Sequence, residues 1–87
     1  MKYMLAELLF TVTKAWYEDG MICMKMSDGK EIRFPVELNK KLREANDQQR
    51  NNIEIICSGT GMHWPDLDED LSVTGIIEGR YGYKKDT

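Results

Sequence analysis

Two Asp-Gly turns constrain the fold of this chain more than any other feature. Asp19-Gly20 and Asp28-Gly29 separate three short runs in which apolar and polar residues alternate. Asp and Gly both adopt the positive φ angles that tight hairpin turns require, and alternation with a period of two is typical of half-buried strands. The pattern predicts a three-stranded antiparallel meander with strands over residues 10–16, 21–26 and 31–34.

Helical spacing replaces the alternation after Pro35. Leu38, Leu42 and Ala45 recur at intervals of four and three residues, which is the spacing of an amphipathic helix with a narrow apolar stripe. Pro35 suits the first turn of such a helix. We therefore expect one helix that begins at Pro35 and ends in the polar run after Ala45, with a further helical turn from Asp47 as an alternative.

The second half of the chain predicts a β-hairpin and a short final helix. Residues 53–57 form a short β-branched run, and residues 62–64 form the returning strand, which Pro65 stops. Ser72 is a suitable N-cap for a helix, and Gly79 stands where a left-handed residue is needed after its end. The apolar residues of this helix that we expect to face inward are Val73, Ile76 and Ile77.

These elements together indicate one small α+β domain of two layers: a three-stranded meander, a helix, a β-hairpin and a short C-terminal helix. Residues 1–9 are interpreted as an apolar lead-in, residues 10–79 as the folded core and residues 80–87 as a flexible tail. Glu7 interrupts the lead-in, which is also far shorter than the roughly 20 residues of a membrane span. Neither membrane insertion nor export is therefore expected.

Charge and cysteine usage narrow the class of protein. The formal charge of −3 lacks the basic character of nucleic-acid-binding domains, so direct binding to nucleic acid is not expected. Cys23 and Cys57 form no C-x-x-C pair, and nothing else in the sequence indicates secretion. The two cysteines are predicted to be reduced thiols, buried or half-buried, in a cytoplasmic protein.

The segment GMHWPDLDEDLSV, residues 61–73, contains the strongest candidate site. It holds the only histidine of the chain, one of its two tryptophans and four acidic residues. His63 and Trp64 are adjacent on a predicted strand and should point to opposite faces. Trp64 is expected in the core or at its edge, where it could anchor an interface. His63 beside carboxylates could act as a general base, although no nucleophile stands at a recognised spacing.

The acidic residues of this segment have several interpretations. They are Asp66, Asp68, Glu69 and Asp70. Their alternation suggests a calcium loop, but Leu71 takes the position where an EF-hand requires glycine, so metal binding is not favoured. Three of them precede the final helix, whose N-terminal dipole favours negative charge. This dipole does not account for all four acidic residues, since neighbouring like charges repel one another. The acidic residues that it leaves unexplained predict an acidic surface that binds a basic partner.

Several stretches resemble the bacterial family called domain of unknown function 2442. They are the turn Ser27-Asp-Gly29, the pair Phe34-Pro35, the run LREANDQQRNN over residues 42–52, and GMHWPDLDEDLS over residues 61–72. The resemblance extends from about Phe10 to Gly79, and the block WPDLDEDLS is its most specific part. It implies a compact α+β domain found in bacteria and their mobile elements, in a family without assigned catalytic residues.

The resemblance also implies two functional settings. Some relatives carry a helix-turn-helix domain after this region, and many are encoded beside another small uncharacterised protein, a pairing suspected to be toxin and antitoxin. The leading hypothesis is a cytoplasmic protein-interaction module without a cofactor, antitoxin-like, that binds a basic protein partner. The residues predicted to bind that partner are His63, Trp64, Asp66, Asp68, Glu69 and Asp70.

Two alternatives stay open beside this hypothesis. One is a metal-dependent or acid-base enzyme that uses His63 and the nearby carboxylates. The other is an accessory subunit of a DNA-binding regulator. Pairing of free strand edges between chains is also left open as a route to a homo-oligomer.

Overall fold

A computed structural model describes residues 11–82 of the chain. Over this range the protein forms two three-stranded antiparallel sheets, ordered β1-β2-β3 and β4-β5-β6. The strands are β1 Val12–Glu18, β2 Met21–Met26, β3 Glu31–Pro35, β4 Glu54–Ile56, β5 Gly61–Trp64 and β6 Glu69–Ser72. The α-helices are α1 Lys40–Arg43, α2 Asp47–Asn51 and α3 Val73–Ile77, with 3-10 turns at Val36–Leu38 and Cys57–Gly59. The predicted α+β class is confirmed.

The first sheet is the predicted meander. Asp19 and Gly20 adopt φ angles of 51° and 77°, the left-handed pair that a two-residue hairpin turn uses. The strand register places two cross-strand rows on the inner face: Ala15, Met24 and Ile32, then Tyr17, Ile22 and Phe34. The predicted lead-in over residues 1–9 and the predicted first strand residue, Phe10, lie outside the described residues.

The hydrophobic core lies between the two sheets and the short helices. Its largest fully buried side chains are Trp64, Phe34, Ile22, Met24, Leu42 and Met62. The Trp64 ring also satisfies its single donor, because Nε1 donates a hydrogen bond to the carbonyl of Arg50 at 3.0 Å. The N–H of a buried Trp usually finds such a partner, and this bond joins β5 to helix α2.

The single predicted helix after Pro35 is wrong, because Asn39 divides it. Asn39 has an extended backbone, and its side chain accepts a hydrogen bond from the amide of Leu42 at 2.9 Å, which starts α1. A capping residue needs non-helical φ and ψ angles, so the preceding turn cannot continue into α1. Leu38 is consequently 49% exposed, and Val36 takes its place in the core. The further helix from Asp47 is present as α2.

The predicted hairpin of the second half gains a third strand, β6. It pairs with β5 so that Leu71 stands opposite Met62, and both of these side chains are buried. The final helix begins as predicted, since the Ser72 hydroxyl accepts a hydrogen bond from the amide of Gly75 at 2.9 Å. Ile77, however, is exposed rather than buried.

Tyr81, which the sequence places in a loose tail, packs against the core. Its ring centroid lies 5.0 Å from that of Phe34, and its carbonyl accepts a hydrogen bond from Asn39 Nδ2 at 2.8 Å. A tail residue becomes ordered when it is tied down by burial and hydrogen bonding. Residues 83–87 of the predicted tail lie outside the described residues.

The two cysteines differ in their surroundings. Cys23 is buried, as predicted, and burial raises the pKa of its thiol. Cys57 is exposed, contrary to the prediction, because it stands in a left-handed turn at the end of β4 with a φ of 53°. Both thiols are free.

Candidate functional site

The outer face of the second sheet carries a row of three polar side chains. Glu54 on β4 stands opposite His63 on β5, and His63 stands opposite Asp70 on β6. Side chains alternate between the faces of a strand, and the neighbours Met62 and Leu71 are buried. The row therefore faces solvent. The Asp70 side chain is 69% exposed and that of His63 is 29% exposed.

His63 and Asp70 interact directly within this row. The Nδ1–H of His63 donates a hydrogen bond to the Asp70 carboxylate. This bond raises the pKa of His63 above its usual value, and the negative charges of Asp70, Glu54 and Asp68 raise it further. Partial desolvation acts in the opposite direction. The imidazole consequently keeps its positive charge to higher pH than a free histidine does.

The turn between β5 and β6 adds two more exposed carboxylates beside the row. The amide of Leu67 donates to the carbonyl of Trp64 at 3.1 Å and closes the turn. Asp66 accepts a hydrogen bond from Asn52 Nδ2 at 3.1 Å, which joins the turn to the segment before β4. Asp68 adopts a left-handed φ of 51°, a conformation that Asp tolerates better than most residues. Both aspartates are exposed.

We call the exposed polar residues of this row and of the adjoining turn the acidic face. Its members are Glu54, His63, Asp66, Asp68 and Asp70. Lys41 lies at its border, where its amine donates a hydrogen bond to the backbone carbonyl of Asp68 at 2.9 Å. The carboxylates of the acidic face therefore come from two strands and one turn of the second sheet.

Glu69, predicted to bind a partner, is buried instead. It points inward beside Leu71 because alternate residues of β6 face the core. Its Oε2 accepts a hydrogen bond from Asn39 Nδ2 at 2.7 Å, and its Oε1 lies 3.9 Å from Lys41 Nζ. A buried carboxylate must be paired and hydrogen-bonded to be tolerated. Glu69 thus supports the fold and is not accessible to a partner.

Trp64 is also unable to contact a partner. Its ring is fully buried, so the predicted role as an interface anchor is wrong, whereas the prediction of a core position is correct. The prediction that His63 and Trp64 point to opposite faces holds as well, since His63 is half-buried on the outer face. Of the six predicted site residues, the structure brings His63, Asp68 and Asp70 close together, and it leaves Asp66 exposed in the adjoining turn.

The acidic residues do not occupy the start of the final helix. Ser72 is the N-cap of α3, and the first turn of this helix contains no acidic residue. Asp68 ends the preceding turn, and Glu69 and Asp70 belong to β6. The predicted interaction with the helix dipole is therefore wrong, because a strand separates these charges from the helix.

Within residues 11–82, no three His, Cys, Asp or Glu side chains are grouped so that they could hold a metal ion. No helix in this range has both the length and the hydropathy needed to cross a membrane.

Sequence reasoning missed Glu54 as a member of the acidic face. Its only signal is a position in a short β-branched run, and its place beside His63 follows from the strand register.

Comparison with known proteins identifies the family. The family model described as protein of unknown function (DUF2442) matches residues 12–82. This chain belongs to the DUF2442 family. The resemblance drawn from the sequence is thereby confirmed, and the match includes every residue of the acidic face.

Two solved structures are similar to this DUF2442 domain. One is a protein of unknown function from Rhodospirillum rubrum, with 34% identity and a TM-score of 0.78 over 85% of this chain and 92% of that one. The other is an uncharacterised protein from Chromobacterium violaceum, with 30% identity and a TM-score of 0.78 over 92% of this chain and 75% of that one. No curated protein matches the chain. The comparisons therefore support the family and fold of the domain without assigning an activity.

Proposed function

We propose that this DUF2442 domain is a protein-interaction module whose acidic face binds a basic surface of a protein partner. The observation that supports the proposal is the grouping of three exposed carboxylates around one histidine, namely Glu54, Asp68 and Asp70, with a fourth, Asp66, exposed in the adjoining turn. Like charges held close together repel one another. A cationic partner would relieve that repulsion, so binding of such a partner is electrostatically favourable.

The balance of charge on this face supports a basic partner over an acidic one. His63 offsets part of the negative charge when it is protonated, and its hydrogen bond engages Asp70 alone. Asp66 accepts its hydrogen bond from the neutral amide of Asn52 and not from a cation. Lys41 directs its hydrogen bond at a backbone carbonyl of the turn. The face therefore retains negative charge at neutral pH.

An interface of this kind acts mainly on association rate and on partner choice. Exposed charges are screened by salt over a distance of about 8 Å at physiological ionic strength, so complex formation should weaken as salt rises. An antitoxin-like role, in which the domain binds a small basic protein encoded beside it, is the specific form of the proposal.

Purification from the native host tests the proposal. The domain should co-purify with a basic protein at low salt and lose it at high salt. Replacing Asp66 and Asp68 by Asn should weaken the complex by about ten-fold, since each exposed ion pair contributes up to about 1 kcal/mol. A matched double variant, Glu37→Gln with Glu44→Gln, makes the same change in net charge at exposed positions outside the acidic face and should bind nearly as the wild type does.

Recovery of the domain alone at both salt concentrations would contradict the proposal. Equal weakening by the two double variants would also contradict it, because the effect would then come from net charge rather than from this face.

Acid-base chemistry is the second candidate function, and the His63–Asp70 pair is the observation that favours it. A carboxylate that holds Nδ1 orients an imidazole as a general base. Calorimetric titration with magnesium, calcium, manganese and zinc separates the metal-dependent form of this candidate from a binding surface. A stoichiometric site that is lost in Asp70→Asn would favour the enzyme, whereas an interaction surface should give no such site.

A further inference from the structure

Strand β6 is an edge of the second sheet, and its backbone is partly unpaired. Just beyond its end, the amide of Val73 donates to the carbonyl of Thr60 at 2.9 Å. Hydrogen-bonded pairs alternate along an antiparallel ladder. Leu71 and Glu69 therefore bond to β5, while Asp70 and Ser72 direct their backbone groups toward the open edge.

The open edge offers three hydrogen-bonding groups. They are the N–H and C=O of Asp70 and the N–H of Ser72. The C=O of Ser72 is not included, because the carbonyl of an N-cap residue accepts the first hydrogen bond of its helix. Among the described residues, no backbone hydrogen bond outside the β5–β6 ladder engages Asp70. An extended segment laid along β6 could bond to all three groups.

A groove runs beside this edge and leaves room for such a segment. Its volume is about 230 Å³, and it is lined by Asp70, Leu71, Ser72, Gly75, Arg80 and Gly82. Gly75 packs closely against its neighbours in the groove lining, since a Cβ added there would lie 2.7 Å from Ser72 Oγ and 3.4 Å from the Arg80 carbonyl oxygen. The groove thus brings a strand edge, an acidic side chain and open space to one place. Its one basic lining residue, Arg80, is paired with Glu78.

The other strand edges are less suited to strand addition. On β1, the amide of Tyr17 is occupied by the side chain of Asn51 at 2.9 Å. Strand β3 ends in Pro35, which has no N–H to donate. Strand β4 spans only Glu54–Ile56 and packs beside β1.

Charge decides which occupant suits the β6 edge. If a second copy added its own β6 through a two-fold axis, the two Asp70 carboxylates would lie on the same face of a continuous sheet, with Asp68 close by. Like charges on neighbouring strands destabilise the pairing, and a charged residue in an edge strand discourages self-association. A lysine or arginine on the added strand would instead pair favourably with Asp70.

We propose that the β6 edge receives an extended basic segment of the partner, which adds to the second sheet as a new strand beside β6. This inference rests on the proposed function, because it specifies how the acidic face holds a basic protein. Backbone hydrogen bonds align the segment, and the basic side chains that point to the outer face of the sheet reach Asp70. Alternate residues of the segment should therefore be basic.

Nuclear magnetic resonance with two synthetic peptides tests this mode of binding. The first is a short peptide of alternating lysine and valine, and the second is the same peptide methylated at every backbone nitrogen, which keeps its charge but cannot donate backbone hydrogen bonds. The unmethylated peptide should shift the amide signals of Asp70 and Ser72 and slow their hydrogen exchange. The methylated peptide should bind about ten-fold more weakly or not at all.

A pair of substitutions at Ser72 provides the matched control. Ser72→Ala and Ser72→Pro both remove the hydroxyl that caps α3, but only proline removes the edge N–H. Ser72→Pro should weaken binding of the unmethylated peptide by about ten-fold relative to Ser72→Ala. If Ser72→Pro does not fold, the comparison of the two peptides on the wild-type protein decides the question.

The outcomes separate this inference from the proposed function. Equal binding of both peptides, with the native partner still retained at low salt, would overturn strand addition and leave the acidic face as the binding surface. If the domain is recovered without its native partner at low salt, both strand addition and the proposed function are overturned. If the protein alone sediments as a dimer and the Ser72→Pro variant sediments as a monomer, the inference is overturned, because a second copy of the chain then occupies the β6 edge.

Discussion

His63 on β5 and Asp70 on β6 stand directly opposite each other, and the imidazole Nδ1–H donates a hydrogen bond to the carboxylate. The pair belongs to the acidic face and joins two strands of the second sheet. Protonation of one imidazole therefore changes both the charge of the proposed binding surface and the strength of a cross-strand contact. The charge of this face, and with it the affinity for a basic partner, should depend on pH near neutrality.

The substitution Asp70→Asn should lower the pKa of His63 toward the ordinary value of 6.5, because it removes the hydrogen bond and the charge that raise it. Proton signals of the imidazole, followed through a pH titration, measure this change. Asp28→Asn serves as the control, since Asp28 pairs with Lys30 in the hairpin of the first sheet. An unchanged His63 pKa in Asp70→Asn would contradict the assigned contact.

The same pair predicts how stability depends on pH. The pKa of His63 is raised in the folded state, so its contribution to stability is fully present below the unfolded value near 6.5 and is lost as pH rises through the folded value. Urea unfolding across this window should show the free-energy advantage of the wild type over His63→Gln shrinking as pH rises. A constant advantage, or one that grows with pH, would be inconsistent with a raised pKa.

Asn39→Ala should be among the most destabilising substitutions of a polar residue. Its side chain caps α1 and donates to both Glu69 and the carbonyl of Tyr81, so its loss leaves a buried carboxylate short of a partner. We expect a cost of about 2–4 kcal/mol in the free energy of unfolding. Asn46→Ala is the matched control, because Asn46 caps α2 at an exposed position and should cost only about 1 kcal/mol. Chemical denaturation of the two variants measures the difference, and equal costs would contradict a supporting role for the Asn39–Glu69 contact.

The first sheet could be predicted from the sequence because its turns carry local signals. Asp19-Gly20 forms a left-handed hairpin turn between alternating runs. At Asp28-Gly29, the second predicted turn, only the glycine is left-handed, with a φ of 94°. The opposite orientations of His63 and Trp64 could be predicted for a similar reason, since alternation along a strand is a property of the backbone. These predictions needed no knowledge of distant residues.

The second sheet and the acidic face depend on contacts that local patterns do not specify. Strand β6 contains Glu69 and Asp70, and acidic residues are depleted from strands, so its pairing with β5 decides its conformation. The burial of Glu69 depends on Asn39, which lies 30 positions away in the sequence. Glu54 joins the acidic face only through the register of β4 against β5. Each of these features follows from tertiary structure.

Gly82→Ala should show that the segment around Tyr81 is part of the fold. Gly82 has a φ of +72°, and an added Cβ would contact the Glu69 carboxylate and approach Asn39 Nδ2 and Leu71 Cδ2, each at 2.7 Å. Gly79→Ala is the matched control, because Gly79 has a φ of +89° with open space around it. Thermal and urea unfolding should give a cost at Gly82 that exceeds the cost at Gly79 by about 1–3 kcal/mol, through overpacking. Equal costs would indicate that Gly82 does not pack against the core.

The two thiols should react at very different rates in the folded protein. Cys57 is exposed, whereas Cys23 is fully buried and burial raises the pKa of its thiol. Since the thiolate is the reactive form, and access to the sulfur is also required, a thiol-specific reagent at neutral pH should modify Cys57 rapidly and Cys23 only when the domain opens. Mass spectrometry over time should therefore show one fast addition, which Cys57→Ser abolishes and Cys23→Ser retains. In urea the two thiols should react at similar rates, because the burial that protects Cys23 is then lost, and rapid modification of Cys23 without denaturant would contradict its position in the structure.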